Sequence, residues 1–83
     1  MDKIIVEVFI PATGSTHDFE IPVENTVAHV AMEMADILHE VAGEAVLDLQ
    51  QVQLCDLDRH TLLPDDATLL EACVHDGSRL MLV

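Results

Sequence analysis

The chain has 83 residues, which suffice for one small domain with a single hydrophobic core and no deep substrate cleft. Sixteen acidic residues against three basic ones give a formal charge of −13 at pH 7, which repels nucleic-acid phosphates and anionic lipids. We therefore expect residues 1–83 to form one domain that binds neither nucleic acid nor a membrane directly. Such a surface attracts a protein partner with a basic surface, although a role in solubility alone explains it equally well.

The first quarter of the sequence predicts a β-hairpin. Residues 4–10 are rich in β-branched side chains, and their alternation puts four apolar residues on one face: Ile4, Val6, Val8 and Ile10. Residues 11–16 contain Pro, Gly and small polar residues and predict a turn. The alternation over residues 18–23 predicts a second strand, and Pro22 indicates that this strand ends near a sheet edge.

A helix of about four turns is predicted next. Asn25 or Thr26 is suited to cap its N-terminus, and Gly43 is suited to end it. Apolar residues recur between them at helical spacing: Val27, Val30, Met34, Ile37 or Leu38, and Val41. Residues 44–51 are consistent with either a short helix or a connecting loop.

The second half predicts short elements and a closing strand. A third strand begins at residues 52–54, a turn follows at 56–60, and residues 62–63 form a short fourth strand. Thr68 and Glu71 have capping-box spacing, and residues 75–78 form a turn before a final strand at 79–83. This order predicts an α+β fold with a mixed four- to five-stranded sheet and one helix packed across one face.

The sequence resembles ubiquitin-like (β-grasp) proteins over nearly its whole length. Residues 21–30 match the passage from strand to helix in that fold, and the segment from Leu63 to Val83 matches its Thr-Leu turn and last strand. Within the family it is most similar to the bacterial YukD/EsaB group of type VII (ESX-like) secretion systems, through its run from Leu62-Leu63-Pro64-Asp65 to Leu80 and Leu82. Residues 43–57 are longer than in ubiquitin and fit less well.

The resemblance implies a protein-binding module, an accessory component of a type VII secretion system, with no enzymatic activity. Its candidate partner is the cytoplasmic domain of a membrane component of such a system. Because the sequence shows no signal peptide or membrane-spanning stretch, we expect a cytoplasmic location. The alternative is a ubiquitin-like modifier or sulfur carrier whose Gly-Gly tail is missing. That alternative is disfavoured because the sequence stops at Met81-Leu82-Val83, inside the predicted last strand, and because Lys3 is the only lysine.

The residues that bear reactive groups predict no catalytic, cofactor or metal site. The carboxylate pairs Asp56/Asp58 and Asp65/Asp66 lack a pocket that would raise one pKa. A zinc site from Cys55, His60, Cys73 and His75 lacks the usual tight spacing, so we expect both cysteines to be buried or half-buried small apolar residues, with a disulfide between them as the alternative. His29 and His39 are expected on the solvated face of the helix, where a pH-sensing role stays open.

The predicted contact surface lies on the sheet face that the helix leaves open. If Ile4 and its alternating partners face the helix, Ile5 and Phe9 point the other way, as do Met81 and Val83 on the last strand. The first and last strands are neighbours in a β-grasp sheet. We therefore predict that Ile5, Phe9, Met81 and Val83 form an exposed apolar patch that is rimmed by acids and binds a partner. The alternative is that these are scattered exposed apolar residues without a role.

Overall fold

The computed structural model describes residues 3–42 and 52–83. Within these residues, five strands and one helix follow one another: β1 (Lys3–Ile10), β2 (Ser15–Pro22), α1 (Val27–Ala42), β3 (Leu54–Asp56), β4 (Thr61–Leu62) and β5 (Arg79–Leu82). The strands form one mixed sheet in the order β2-β1-β5-β3-β4. Among these described strands, β1 and β5 pair in parallel, and the other neighbouring pairs are antiparallel. The predicted mixed sheet with one helix is confirmed.

The core lies between the sheet and the helix. The alternation of β1 buries Val6, Val8 and Ile10, and β5 adds Leu80 and Leu82 on the same face. Helical spacing on α1 supplies the facing residues: Val27, Val30, Ala31, Met34, Ala35 and Leu38. Ile37 and Leu38 were both candidates for the buried face of the helix. Leu38 is the buried one, since Ile37 is 46% exposed. Residues 43–51, including the predicted cap Gly43, lie outside the described part of the chain.

The hairpin is longer than the sequence predicted. Strand β2 begins at Ser15, although residues 11–16 were predicted to be a turn. The loop between β1 and β2 therefore has four residues, and Gly14 takes a positive φ of 67° while its N–H donates to Ile10 O at 2.8 Å. Ser15, Thr16 and His17 are polar, so their extended conformation comes from pairing with β1 and not from an apolar pattern.

The short strands are also shifted from their predicted positions. Strand β3 covers Leu54–Asp56, so the turn predicted at residues 56–60 begins one residue later. Asp56 is only 3% exposed, and its Oδ1 accepts from the N–H groups of Asp58 (3.0 Å) and Arg59 (3.2 Å). This carboxylate therefore holds the turn between β3 and β4.

The helix and the turn before β5 are capped by threonines. Thr26 Oγ1 accepts from His29 N at 3.2 Å, which decides between the two predicted caps of α1. Thr68 and Glu71 form a reciprocal capping box: Thr68 N donates to Glu71 Oε1 at 2.9 Å, and Glu71 N donates to Thr68 Oγ1 at 3.1 Å. The predicted capping box is confirmed.

The turn that Thr68 opens ends at Cys73, where the structure differs from expectation. Cys73 is exposed and has a positive φ of 62°, although we expected a buried or half-buried residue. Its N–H donates to Leu70 O, and Val74 N donates to Leu69 O, which is the hydrogen-bond pattern of a Schellman cap. Leu69 and Val74 are both buried, as the apolar contact of that cap requires. The geometry of the cap explains the unusual conformation of Cys73.

Replacing Cys73 by glycine should stabilise the protein, because glycine adopts the left-handed conformation without the steric cost of a Cβ atom. We expect Cys73→Gly to raise the free energy of unfolding by up to about 1 kcal/mol. The matched control Cys73→Ala keeps the Cβ and should leave stability almost unchanged. The measurement is chemical denaturation, and equal stability of the two variants would contradict this account of the cap.

Removing the Asp56 carboxylate should destabilise the turn between β3 and β4. We expect Asp56→Ala to cost about 1–3 kcal/mol, because two backbone donors lose their acceptor next to the core. Asp56→Asn keeps an Oδ1 acceptor in place and should cost clearly less. Urea unfolding of both variants tests this, and equal losses for alanine and asparagine would show that the acceptor is not what matters.

Candidate functional site on the open face of the sheet

The sheet face opposite the helix carries the residues predicted to bind a partner. Strand alternation puts Ile5 and Phe9 of β1 on this face, together with Met81 of β5 and Val83 just beyond it. Ile5 is 51% exposed and Val83 is 41% exposed, whereas Phe9 and Met81 are half-buried. The predicted adjacency of the first and last strands is correct, since β1 and β5 pair directly.

The four predicted residues do not form one continuous patch. Phe9 and Met81 are directly paired across β1 and β5, and Val83 follows Met81 on the same face. Ile5 is separated from Phe9 by the charged pair Glu7 and Arg79, which are register partners. The structure therefore brings together Phe9, Met81 and Val83 and leaves Ile5 apart.

Two further residues extend the apolar surface beyond the prediction. Cys55 pairs with Met81 across β3 and β5, and Leu62 pairs with Cys55 across β3 and β4. Residues that are paired across neighbouring strands point to the same face. Phe9, Met81, Cys55 and Leu62 therefore form a line across four strands, about 14 Å long at the usual strand spacing. We call these four residues the apolar row; Leu62, at its end, is 53% exposed.

A charged line runs beside the apolar row. Arg79 forms an ion pair with Asp58: its Nη2 lies 2.8 Å and its Nε 2.9 Å from Asp58 Oδ1, and its backbone N–H lies 3.2 Å from Oδ2. The side-chain hydrogen bonds foremost, and then the backbone one, hold the pKa of the Asp58 carboxyl below its ordinary value. The side-chain hydrogen bonds to Asp58 and its negative charge raise the pKa of Arg79. The ion pair places the guanidinium beside the row.

The carboxylates on the other side of Arg79 are not compensated in this way. Glu7 and Asp18 are register partners on the open face, so two acids stand opposite each other across β1 and β2. Opposed like charges destabilise a strand pair. Lys3 reaches Glu20 at 3.8 Å, but both side chains are well exposed and such a pair contributes little. The β2 end of the open face is therefore strongly acidic.

A shallow cleft lies where the apolar and charged lines meet. Its volume is about 190 Å³, and it is lined by Glu7, Phe9, Thr16, Leu57, Arg79 and Leu80. Small-molecule sites usually have volumes of about 300–1,000 Å³. This cleft is below that range and is suited to one side chain of a larger partner.

The other candidate residues are not brought together. In residues 3–42 and 52–83, no group of three or more His, Cys, Asp or Glu side chains is placed to hold a metal ion. His29 and His39 are exposed on α1 as expected, and His29 Nε2 lies 3.2 Å from Glu33 Oε1. Within the same ranges, no helix is both long and apolar enough to span a bilayer.

The closing strand is paired to the last residue of the sequence. Val83 N donates to Gln53 O at 3.0 Å, and Gln53 N donates to Val83 O at 2.8 Å. Strand β5 ends at Leu82, one residue before the predicted end, and these two hydrogen bonds hold Val83 beside Gln53. That the protein is not conjugated through a tail stays a prediction.

The Arg79–Asp58 pair gives a pH-dependent prediction. Because the folded-state pKa of Asp58 is lowered, the pair contributes stability above the unfolded pKa of about 3.9 and loses it as the pH falls through the folded pKa. In Arg79→Met, the Asp58 pKa should rise towards its ordinary value. NMR titration of the side-chain carboxyl carbon measures it.

Arg59→Met is the matched control for Arg79→Met. It removes the same charge from the neighbouring turn, and Arg59 forms no ion pair in the described part of the chain. We expect it to change the Asp58 pKa much less. An Asp58 pKa that responds equally to both substitutions would mean that net charge, and not the hydrogen bonds of Arg79, lowers it.

Comparison with solved structures shows the same fold at low sequence identity. The Caldiarchaeum subterraneum ubiquitin superposes with a TM-score of 0.76 at 20% identity, covering 98% of this chain and 91% of that one. The ubiquitin-like domain of Plasmodium falciparum Dsk2 gives 0.77 at 18%, covering 99% and 97%. The EccD5 ubiquitin-like domain from Mycobacterium xenopi gives 0.72 at 21%, covering 100% and 94%. The expected ubiquitin-like β-grasp fold is confirmed.

Comparison with protein families adds what the fold alone does not. No curated protein matches the sequence. The family model described as "WXG100 protein secretion system (Wss), protein YukD" matches residues 4–82. This chain belongs to the YukD family of ubiquitin-like domains, which is linked to WXG100 (type VII) protein secretion.

Proposed function

We propose that this domain is a non-conjugated, non-catalytic binding module that captures a basic protein partner on the open face of its sheet, in the cytoplasm, as an accessory of a type VII secretion system. Membership of the YukD family supports the link to secretion. The candidate partner is a cytoplasmic domain of a membrane component of the same system.

The observation that carries the proposal is the apolar row. Single exposed apolar residues are normal on protein surfaces, but a contiguous set is typical of a contact surface. Phe9, Met81, Cys55 and Leu62 are contiguous by register, and the cleft beside Phe9 offers a place for one anchoring side chain. Binding energy in protein interfaces is concentrated in such central apolar contacts.

The charge around the row supports a basic partner. Glu7 and Asp18 oppose each other at one end, and Glu20 lies beyond them on the same face. A partner with Lys or Arg in contact with these carboxylates would relieve their repulsion and gain electrostatic steering. Arg79 lies between Glu7 and Asp58 and carries a positive charge within the acidic surface. A partner with a cation at that position is therefore disfavoured.

Disrupting the apolar row should abolish binding without unfolding the domain. We expect Phe9→Asp and Met81→Asp each to reduce partner capture at least about tenfold, because a charge replaces a central apolar contact. Met32→Asp is the matched control, since Met32 is exposed on α1, on the other side of the sheet. Affinity capture from the native host, with mass spectrometry of captured proteins and circular dichroism of each variant, measures this.

The identity of the captured protein decides the secretion part of the proposal. We expect a type VII secretion component that is captured by wild type and Met32→Asp and lost with both sheet variants. Capture should also weaken at high salt because the acidic surface contributes. Capture that survives both sheet substitutions would contradict the open-face site, and specific capture of unrelated proteins alone would contradict the role in secretion.

A further inference from the structure

The outer edge of β2 presents backbone groups that the sheet does not use. β2 is the first strand in the sheet order, and in the described residues it pairs only with β1. Pro22 stands opposite Lys3, and because proline has no N–H this is a non-hydrogen-bonded position of the ladder. Hydrogen-bonded and non-hydrogen-bonded positions alternate along the ladder. The N–H and C=O groups of Thr16, Asp18 and Glu20 therefore also point away from β1.

The hydrogen bonds of β1 agree with this assignment. Glu7, the partner of Asp18, donates its N–H to Ser78 O at 3.0 Å on the β5 side. Ile5, the partner of Glu20, accepts from Gly77 N at 2.8 Å and donates to Asp76 Oδ1 at 2.8 Å on the same side. Neither residue directs its backbone groups towards β2, so the matching residues of β2 direct theirs outward. An added strand would pair with these outward groups.

The side chains along this edge disfavour a second copy of the chain as the added strand. In an antiparallel pairing centred on Asp18, the two Asp18 carboxylates would face each other, and Glu20 would face Thr16 of the other copy. Opposed like charges cost stability, and charged edges are a common protection against self-pairing. The net charge of −13 adds a general repulsion between copies.

The same side chains favour a basic strand. A residue paired with Asp18 on an added strand would point to the open face and lie next to Asp18. Glu7, on β1, would lie on the far side of Asp18. A lysine or arginine at that position would neutralise the opposed carboxylates, neither of which forms an ion pair within residues 3–42 and 52–83. The residue two positions along would face Glu20 in the same way.

The intervening residues of an added strand would meet a different surface. On its helix-facing side, β2 carries His17 and Phe19, which are half-buried with their rings 6.4 Å apart. An apolar residue of the added strand would cover the exposed part of Phe19 there. We propose that the β2 edge accepts, as a sixth strand, an extended protein segment in which basic residues alternate with apolar ones.

The test uses the peptide Ac-KVKVKVK-NH2 as a probe and amide hydrogen exchange of the full ¹⁵N-labelled chain as the readout. The amides of Thr16, Asp18 and Glu20 should exchange at least about tenfold more slowly with saturating peptide, because they gain hydrogen bonds. The amides of His17 and Phe19 already bond to β1 and should change little. The peptide Ac-EVEVEVE-NH2 has the same apolar residues and should have no effect.

Three variants separate backbone pairing from general charge attraction. Thr16→Pro removes an outward N–H without changing the charge, at the kind of position that Pro22 already occupies, and should weaken peptide binding several-fold. Asp18→Lys should abolish binding, whereas Asp36→Lys makes the same charge change on the exposed face of α1 and should weaken it only slightly.

The outcomes distinguish this inference from the proposed open-face function. No protection of the three amides, or protection with the glutamate peptide, overturns the edge proposal. Peptide-induced shifts at Met81 and Cys55, with unchanged exchange at Thr16, Asp18 and Glu20, also overturn it while leaving the open-face site intact. If Thr16→Pro fails to fold, the exchange pattern of the wild type still decides.

Discussion

The parallel pairing of β1 with β5 is the constraint on which the rest of the structure depends. It joins the two ends of the described chain at the centre of the sheet and sets Val8 beside Leu80 in the core. Because side chains alternate along a strand, the same register places Phe9 beside Met81 on the opposite face. A shift of one residue would bury the open-face residues and expose the core, so the apolar row is a consequence of correct folding.

The open face combines an apolar line with charges that the fold leaves only partly balanced. Arg79 is held by Asp58, whereas Glu7 and Asp18 face each other and form no ion pair in the part of the chain that the structure describes. This asymmetry distinguishes one end of the apolar row from the other, and it gives a partner a preferred orientation. The β2 edge lies next to the same carboxylates, so a basic segment has two ways to contact them.

The sequence predicted those parts of the fold that have their own local signal. The alternation of β1, the apolar face of α1 and the capping box at Thr68 are all visible as residue spacing. The start of β2 was not predictable, because Ser15 and Thr16 become extended only through pairing with β1. Cys55 and Leu62 were missed for a related reason: strands of three and two residues have no measurable period, and their register depends on tertiary contacts. The alternation from Leu54 to Cys55 was the only available signal. The opposition of Glu7 and Asp18 likewise depends on the four-residue loop that sets the hairpin register.

The most direct test of the account is the set of nuclear Overhauser effects from the Met81 side chain in the isolated protein. The register predicts contacts from the Met81 methyl group to the Phe9 ring on one side and to the Cys55 β-protons on the other. Contacts from Met81 to core residues of α1 such as Met34, or the absence of both predicted contacts, would show that the strands pair differently. The apolar row, and the binding surface built on it, would then not exist.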